Sequence, residues 1–595
     1  MTHEAIVRKK SELDETMVGE STALCCKKLW MVAACLGVLV LNGCRQGNHS
    51  ENASVNDKSP KIANAESLKQ PVFRLVDATA QWGVDFTYKN GYEQQQYTIL
   101  ESLGGGIGVL DYDRDGRLDL YCPGGGTFAD RKTIGLTSQL FRNLDGKHMV
   151  ASGTLAGCTR ALHYSHGASV ADYDGDGFPD VLVTGYGGLQ LWRNQGDGTF
   201  LESQNESALD DSLWSSSAGW GDFNNDGVLD LYVAHYVNWS FDNNPPCRGR
   251  TAAERDICPP REFSGLPDTL YLGNGDGTFQ DASGEWQLRT DADSKGLGVV
   301  IADFDRNGHV DIYVANDTTN NFLYSNSGQA PLTEMGAIAG VATDKFGIPN
   351  GSMGVDIVDF NRDGQIDIWV TNYEREDFAL YRNEGPASYL HVSDILGLNV
   401  LGGLFVGFGT VCTDIDLDGR EDILVNNGHV ILYPTISPRA QKPVAIRADD
   451  KRFQRVTFDE GSYMMQPHEG RGLAVADLDS DGDLDPIFSN LNAPLALLRN
   501  DSPVSSNWLQ VRLVGTSSAR DAIGAEVTAT VGDQRLVRIR KGGGSYLSTS
   551  QEALAWGLGT HAQVDQLTVR WPNGAESTLT DVKPNQLITI VEPAP

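Results

Sequence analysis

Seven times the chain repeats one nine-residue arrangement of oxygen-bearing side chains: carboxylate or amide at the first, third and fifth positions, glycine at the sixth, aspartate at the ninth. The copies are Asp111, Asp113, Asp115 and Asp119; Asp172, Asp174, Asp176 and Asp180; Asp222, Asn224, Asp226 and Asp230; Asp303, Asp305, Asn307 and Asp311; Asp359, Asn361, Asp363 and Asp367; Asp414, Asp416, Asp418 and Asp422; and Asp477, Asp479, Asp481 and Asp485. Alternate residues of a tight loop can turn their oxygens onto one hard cation, while glycine takes the sharp bend without a side-chain clash. Calcium is the natural occupant, up to seven ions in all. No glutamate closes the loop at a twelfth position and no helical pattern flanks it, which excludes an EF-hand and leaves the ninth-position aspartate to do the closing. Twenty-five of the twenty-eight positions are aspartates, so each cluster repels itself when empty.

The elements that position these loops read as short strands. Runs such as Gly106–Leu110 and Gly298–Ala302 precede the loops, and Leu118–Tyr121, Val310–Val314 and Ile366–Val370 follow them. A third strand recurs at Gln139–Asn143, Leu191–Asn194 and Ala379–Asn383, and turns such as Gly196-Asp-Gly198 lead into a fourth near Phe200 or Phe279. Successive loops begin 50 to 81 residues apart, a period that fits propeller blades with insertions. The fold class is therefore all-β, a seven-bladed β-propeller followed by a small sandwich-like domain. The seventh repeat lacks its fourth strand, whereas an orphan copy, Phe73–Thr79, precedes the first; pairing the two would close the ring and hide two sheet edges.

The loops and their flanking strands resemble FG-GAP or VCBS repeats, and the segment from Asn507, with Gly542-Gly-Gly-Ser-Tyr-Leu-Ser548 and Val569-Arg-Trp-Pro-Asn-Gly574, is similar to an ASPIC/UnbV domain. Together with Val314-Ala-Asn-Asp317 and Asn427-Gly-His-Val430 they resemble the cartilage acidic protein family over about residues 71 to 593. The resemblance implies an integrin-α-like propeller in a secreted or surface-anchored calcium-binding protein. The expected organisation is residues 1–44, an N-terminal extension and export signal; 45–70, a disordered tether; 71–503, the propeller; and 504–595, the ASPIC/UnbV-like domain.

Compartment follows from the N-terminus. Lys27 and Lys28 precede the apolar run Leu29–Leu41, too short to span a bilayer as a helix, and Leu41-Asn-Gly-Cys44 resembles a bacterial lipobox, which makes Cys44 the expected lipidation site. The chain is expected to be exported and lipid-anchored at the cell envelope, touching membrane only through that anchor, or otherwise secreted. In an oxidising compartment Cys247 and Cys258, which bracket a Pro- and Arg-rich insertion, are the disulfide candidates; Cys122, Cys158 and Cys412 cannot all pair within the chain. A formal net charge of −32 argues against nucleic acid and anionic membrane as partners.

Other features carry less chemistry. Gly104–Gly106 and Lys541–Gly544 open no helical pattern, so turn or packing roles fit better than phosphate binding. His163 and His166 have no third metal ligand in sight. No G-x-S-x-G or H-E-x-x-H is present, and no catalytic set can be named. Trp239, Phe241 and the arginines of the insertion, Arg248, Arg250, Arg255 and Arg261, form a candidate recognition loop, with a capping decoration as the alternative. The expected function is a non-catalytic binding or adhesion scaffold for a protein or glycan; a calcium-dependent polysaccharide lyase or hydrolase is the alternative.

Overall fold

The computed structural model describes residues 73–594, apart from 252, 290–293, 387, 400–402, 450–451 and 503–505. The expected export signal, the expected lipidation site Cys44 and the expected tether lie outside the described residues.

The repeat region folds into seven four-stranded antiparallel sheets. In the fourth, Gly296–Ala302, Asp311–Asn316, Phe322–Ser325 and Thr333–Glu334 run in chain order, with Val300 opposite Tyr313 and Tyr313 opposite Leu323. Burial falls outward: every residue of the first two strands is buried, whereas the outermost is exposed or half-buried. A strand enclosed on both faces needs a continuous apolar run, and Leu-Gly-Val-Val-Ile-Ala supplies one. The innermost strands Gly108–Leu110, Tyr164–Ala171, Ser215–Gly221, Gly296–Ala302, Val355–Val358, Gly407–Thr413 and Gly470–Ala476 touch in cyclic order, the last against the first. Seven apolar clusters fill the spaces between neighbouring sheets, such as Tyr121, Leu140, Val181 and Trp192 between the first and second. The seventh sheet borrows its outer strand from the N-terminal side: Leu75–Asp77 pairs with Ala496–Asn500, Leu75 opposite Asn500, closing the ring as the orphan strand anticipates.

Two sheets make up the C-terminal domain. One holds Leu554–Gly559, Asn507–Val514 and Gln586–Val591, the last two parallel; the other holds Gln534–Ile539, Glu526–Val531, Val564–Arg570 and Glu576–Val582. They share a core of Val511, Val527, Leu567, Trp556 and Trp571, the expected small sandwich.

The segment 541–551 leaves this domain and enters the centre of the ring. Gly542 and Gly543 add a fifth strand to the fourth sheet, opposite Ile301 and Val300. The segment then hydrogen-bonds to the innermost strand of every sheet. Val109, Ala168 and Val355 donate their N–H groups to the Thr549, Leu547 and Ser545 carbonyls, each at 3.0 Å, and Gly544 N–H donates to Val299 O at 2.7 Å. Leu547 N–H donates to Ser217 Oγ at 3.3 Å, Thr410 N–H to Ser545 Oγ at 3.2 Å, and Ser545 Oγ–H to Leu473 O at 2.7 Å. The glycines are there because nothing larger fits: a Cβ on Gly542 would lie 1.8 Å from Trp220 O, and one on Gly106 would lie 2.1 Å from Leu547 O.

Elsewhere on the central core the insertion after strand Asp230–His235 packs down, with Trp239, Ile257, Cys258 and Phe263 buried against Phe128, Tyr164, Trp214 and Tyr236. Overpacking against backbone is costly, typically about 1–3 kcal/mol and more where backbone must move. Gly542→Val is therefore expected to lower the urea midpoint and to make the C-terminal domain cleavable by trypsin under native conditions; an unchanged midpoint with unchanged protease resistance would show that the segment does not hold the domain in place.

Candidate metal centres

Each nine-residue loop joins the first and second strands of a sheet and takes the same backbone path seven times. The sixth-position glycine has φ between +83° and +101° and the fourth-position residue φ between +55° and +71°, six of the latter being non-glycine. At Gly116 and Gly308 an added Cβ would meet nothing, so backbone conformation rather than space selects glycine there. The glycine N–H donates to Oδ2 of the first aspartate at 2.7–3.1 Å in all seven copies.

The ninth aspartate has a role that spacing alone could not reveal. Its Oδ2 accepts the second-position N–H at 2.8–3.3 Å. Its Oδ1 accepts a backbone N–H from the third strand, such as Asn143 or Asn500, at 2.7–2.9 Å. It therefore clamps the loop to the sheet as well as facing the other acids. Burial, with neighbouring carboxylates adding to it, pushes Asp119, Asp230 and Asp367 up to about 8.

What remains free points inward. Oδ1 of Asp111, Asp113, Asp172, Asp416 and Asp479 is buried without a hydrogen-bond partner, an expensive condition for a carboxylate oxygen unless something positive meets it. Asp111, Asp113 and Asp115; Asp172, Asp174 and Asp180; Asp303, Asp305 and Asp311; Asp414, Asp416 and Asp422; and Asp477, Asp479 and Asp481 each bring three carboxylate oxygens within 4.8 Å of one another. Burial and like charge raise Asp172, Asp414 and Asp477 to about 7. The donors are all carboxylate or amide oxygens with no sulfur or imidazole, a set that fits a hard divalent cation such as calcium or magnesium rather than zinc. In the third and fifth loops the asparagine places its amide nitrogen on the fifth-position carboxylate, Asn224 to Asp226 at 2.9 Å and Asn361 to Asp363 at 2.8 Å. Asn307 instead donates to Asn326 O at 2.8 Å.

The loops are linked to one another and to the C-terminal domain. Fourth-position side chains reach the next loop's glycine carbonyl: Arg114 to Gly177 at 2.6 Å, Asn225 to Gly308 at 3.2 Å, Arg306 to Gly364 at 3.0 Å. From the C-terminal domain, Arg520 lies 3.2 Å from Asp172, Arg570 3.4 Å from Asp303, and Gln510 Nε2 and Gly557 N–H donate to Asp477 and Asp414 at 2.8 and 2.9 Å. All four meet Oδ2, the oxygen that the glycine N–H also holds. The C-terminal domain thus sits on the metal-loop side of the ring. None of these contacts is encoded in the nine-residue pattern.

Cys247 and Cys258 form the expected disulfide, and Cys122, Cys158 and Cys412 are free and buried. His163 and His166 are packing residues that burial holds neutral, pushed down to about 4 and about 3. The insertion turns Trp239 inward and half-buries Phe241, so its aromatics cap the central core; Arg248, Arg250 and Arg261 stay exposed.

Comparison with known proteins finds an FG-GAP-like repeat at residues 172–233, 264–314 and 303–370 and an ASPIC and UnbV domain at 515–595. Cartilage acidic protein 1 of Mus musculus is 24% identical over 454 residues, 72% of this chain and 64% of that protein; the Homo sapiens protein is 28% identical over 317 residues, 50% and 46%. The chain thus matches less than two thirds of the length of these relatives. Among solved structures, a lectin of Agrocybe aegerita that recognises non-reducing terminal N-acetylglucosamine aligns over 67% of this chain and 94% of its own, with 18% identity and a TM-score of 0.39. The chain is an FG-GAP-repeat protein with a C-terminal ASPIC/UnbV domain and a homologue of cartilage acidic protein 1, as the sequence resemblance implied.

The raised carboxylates set a pH dependence. Without cation the folded chain retains protons between the ordinary aspartate value near ~4 and about 8 that the unfolded chain releases, so its stability falls as pH rises through that window. Added Ca2+ removes this loss. The melting-temperature difference between Ca2+ and EDTA samples is therefore expected to widen from pH 5 to pH 8, buried histidines cancelling in the subtraction; a difference independent of pH would contradict it.

Proposed function

We propose that the chain is an exported, calcium-stabilised propeller that acts as a non-catalytic binding or adhesion scaffold for a protein or glycan, anchored to the bacterial envelope through lipidated Cys44. The observation that carries this reading is the sevenfold acidic loop, with clustered carboxylates in five copies and buried unpartnered carboxylate oxygens in four, within FG-GAP-like repeats. When calcium is bound it supplies positive charge at the loop centre and lets the carboxylates stay ionised. Asp111, Asp113 and Asp115, and their counterparts in the other copies, are the residues that would hold it.

The chain's own groups then divide the work. The ninth aspartate clamps loop to sheet, the glycine N–H orients the first aspartate, and in four copies the C-terminal domain grips the same Oδ2 of that residue. Seven ions would add +14 and take the formal charge from −32 to −18. Because the C-terminal domain occupies the loop side and segment 541–551 fills the axis, ligand recognition falls to the remaining face and rim. Support for export comes from the Lys27–Cys44 pattern and from Cys247–Cys258, a bridge suited to an oxidising compartment.

The test is a panel of glycans and surface proteins presented to the purified chain with calcium and with EDTA. Ligand retained with calcium and lost with EDTA is the expected result. Shortening of a polysaccharide by the chain would overturn the non-catalytic assignment in favour of a lyase or hydrolase.

A further inference from the structure

The seven loops differ in how their charge is met. In the first, second and sixth, an arginine just before the end of the third strand lies on the loop acids: Arg142 is 2.6 Å from Asp113 and 3.2 Å from Asp115, Arg193 is 2.6 Å from Asp174, and Arg447 is 2.6 Å from both Asp416 and Asp418. In the first and sixth a seventh-position arginine adds to this, Arg117 at 2.5 Å from Asp115 and Arg420 at 3.4 Å from Asp418. These loops carry built-in counter-ions.

The seventh loop is the reverse case. Its third-strand arginine, Arg499, pairs outward with Asp501 at 2.6 and 2.9 Å. Its seventh position is an acid, Asp483, only 7% exposed, and Asp483 Oδ1 has no hydrogen-bond partner. The charges that bear on Asp483 are Asp481, Asp485 and Asp479, and its N–H donates to Asp481 at 3.2 Å. Oδ1 of Asp479 is unpartnered as well. Five aspartates, two of them with bare buried oxygens, lie in one loop whose third-strand arginine, Arg499, makes its ion pair with Asp501 and bears on Asp479 and Asp485 only from further off.

We propose that Asp483 is a further cation ligand and that the loop Asp477–Asp485 is the tightest cation site of the seven. The proposal rests on the calcium reading of the loops. Ligand charge and count set affinity in oxygen-ligated cation sites, whereas a resident guanidinium must be outcompeted.

The fold supplies its own reporter. Trp508 packs directly on this loop, since a Cβ on Gly482 would lie 1.9 Å from its ring, and a lanthanide bound there is close enough to be excited through that indole. The experiment titrates the EDTA-stripped full chain with Tb3+ under tryptophan excitation, using Trp508→Phe to identify the emission that belongs to this loop, and then displaces Tb3+ with Ca2+. The Trp508-dependent emission is expected to saturate first, and Asp483→Asn to shift that phase about tenfold to higher Tb3+ while leaving the others in place. Asp483→Asn is close in shape, and melting at saturating Ca2+ verifies that it folds. A Trp508-dependent phase that comes late, or one that Asp483→Asn leaves unmoved, overturns the assignment while the other loops still bind. Absence of Tb3+ and Ca2+ binding at every loop removes the calcium reading itself.

Discussion

The rest of the molecule depends on how the aspartates of each loop tolerate one another. Two carboxylates about 4 Å apart near a protein surface repel by about 4 kcal/mol at an effective dielectric of 20, against a net stability of about 5–15 kcal/mol for a folded domain. Five loops hold three such groups within 4.8 Å, and in four of them the first-position aspartate, Asp111, Asp172, Asp303 or Asp414, is also buried. Seven ionised and uncompensated loops could not coexist with a stable ring. Protonation, arginine or a divalent cation must resolve each one; arginine meets the acids of the first, second and sixth copies, and bare buried oxygens remain in those three and in the seventh.

Neutralised loops hold more than themselves together. Through the ninth aspartate each loop fixes the spacing of the first three strands of its sheet, and through the first aspartate it meets the C-terminal domain at four of seven positions. Segment 541–551 completes the arrangement from the inside, filling the axis with backbone and serine hydrogen bonds to all seven innermost strands. The C-terminal domain is therefore part of the propeller's structural frame, on the face where the cations would sit.

The ring and its loops were legible because both follow from local chemistry. Glycine at a φ near +90° and aspartates two residues apart mark each loop wherever it falls, and the unmatched strand at Phe73–Thr79 announced ring closure by simple strand accounting. The Cys247–Cys258 bridge was legible for the same local reason. What escaped depends on contacts distant in the chain. Gly542–Gly544 read as a turn or packing feature, and packing it is; where the segment packs could not be read, because the partners that require glycine, Trp220 O and Val299 O, lie more than two hundred residues away. The inward turn of Trp239 depends on Phe128, in an earlier repeat, and on Trp214, just before the first strand of its own sheet. Asp483 lies outside the positions that the nine-residue pattern specifies, and only its burial and the pairing of Arg499 with Asp501 give it meaning.

The most direct measurement of the central claim is the metal content of the folded chain, by elemental analysis after exhaustive desalting in calcium-containing and then calcium-free buffer. Several calcium ions per chain, up to seven, retained through desalting and removed by EDTA together with resistance to protease, is the result predicted here. A compact, protease-resistant chain carrying essentially no calcium or other divalent ion would contradict it.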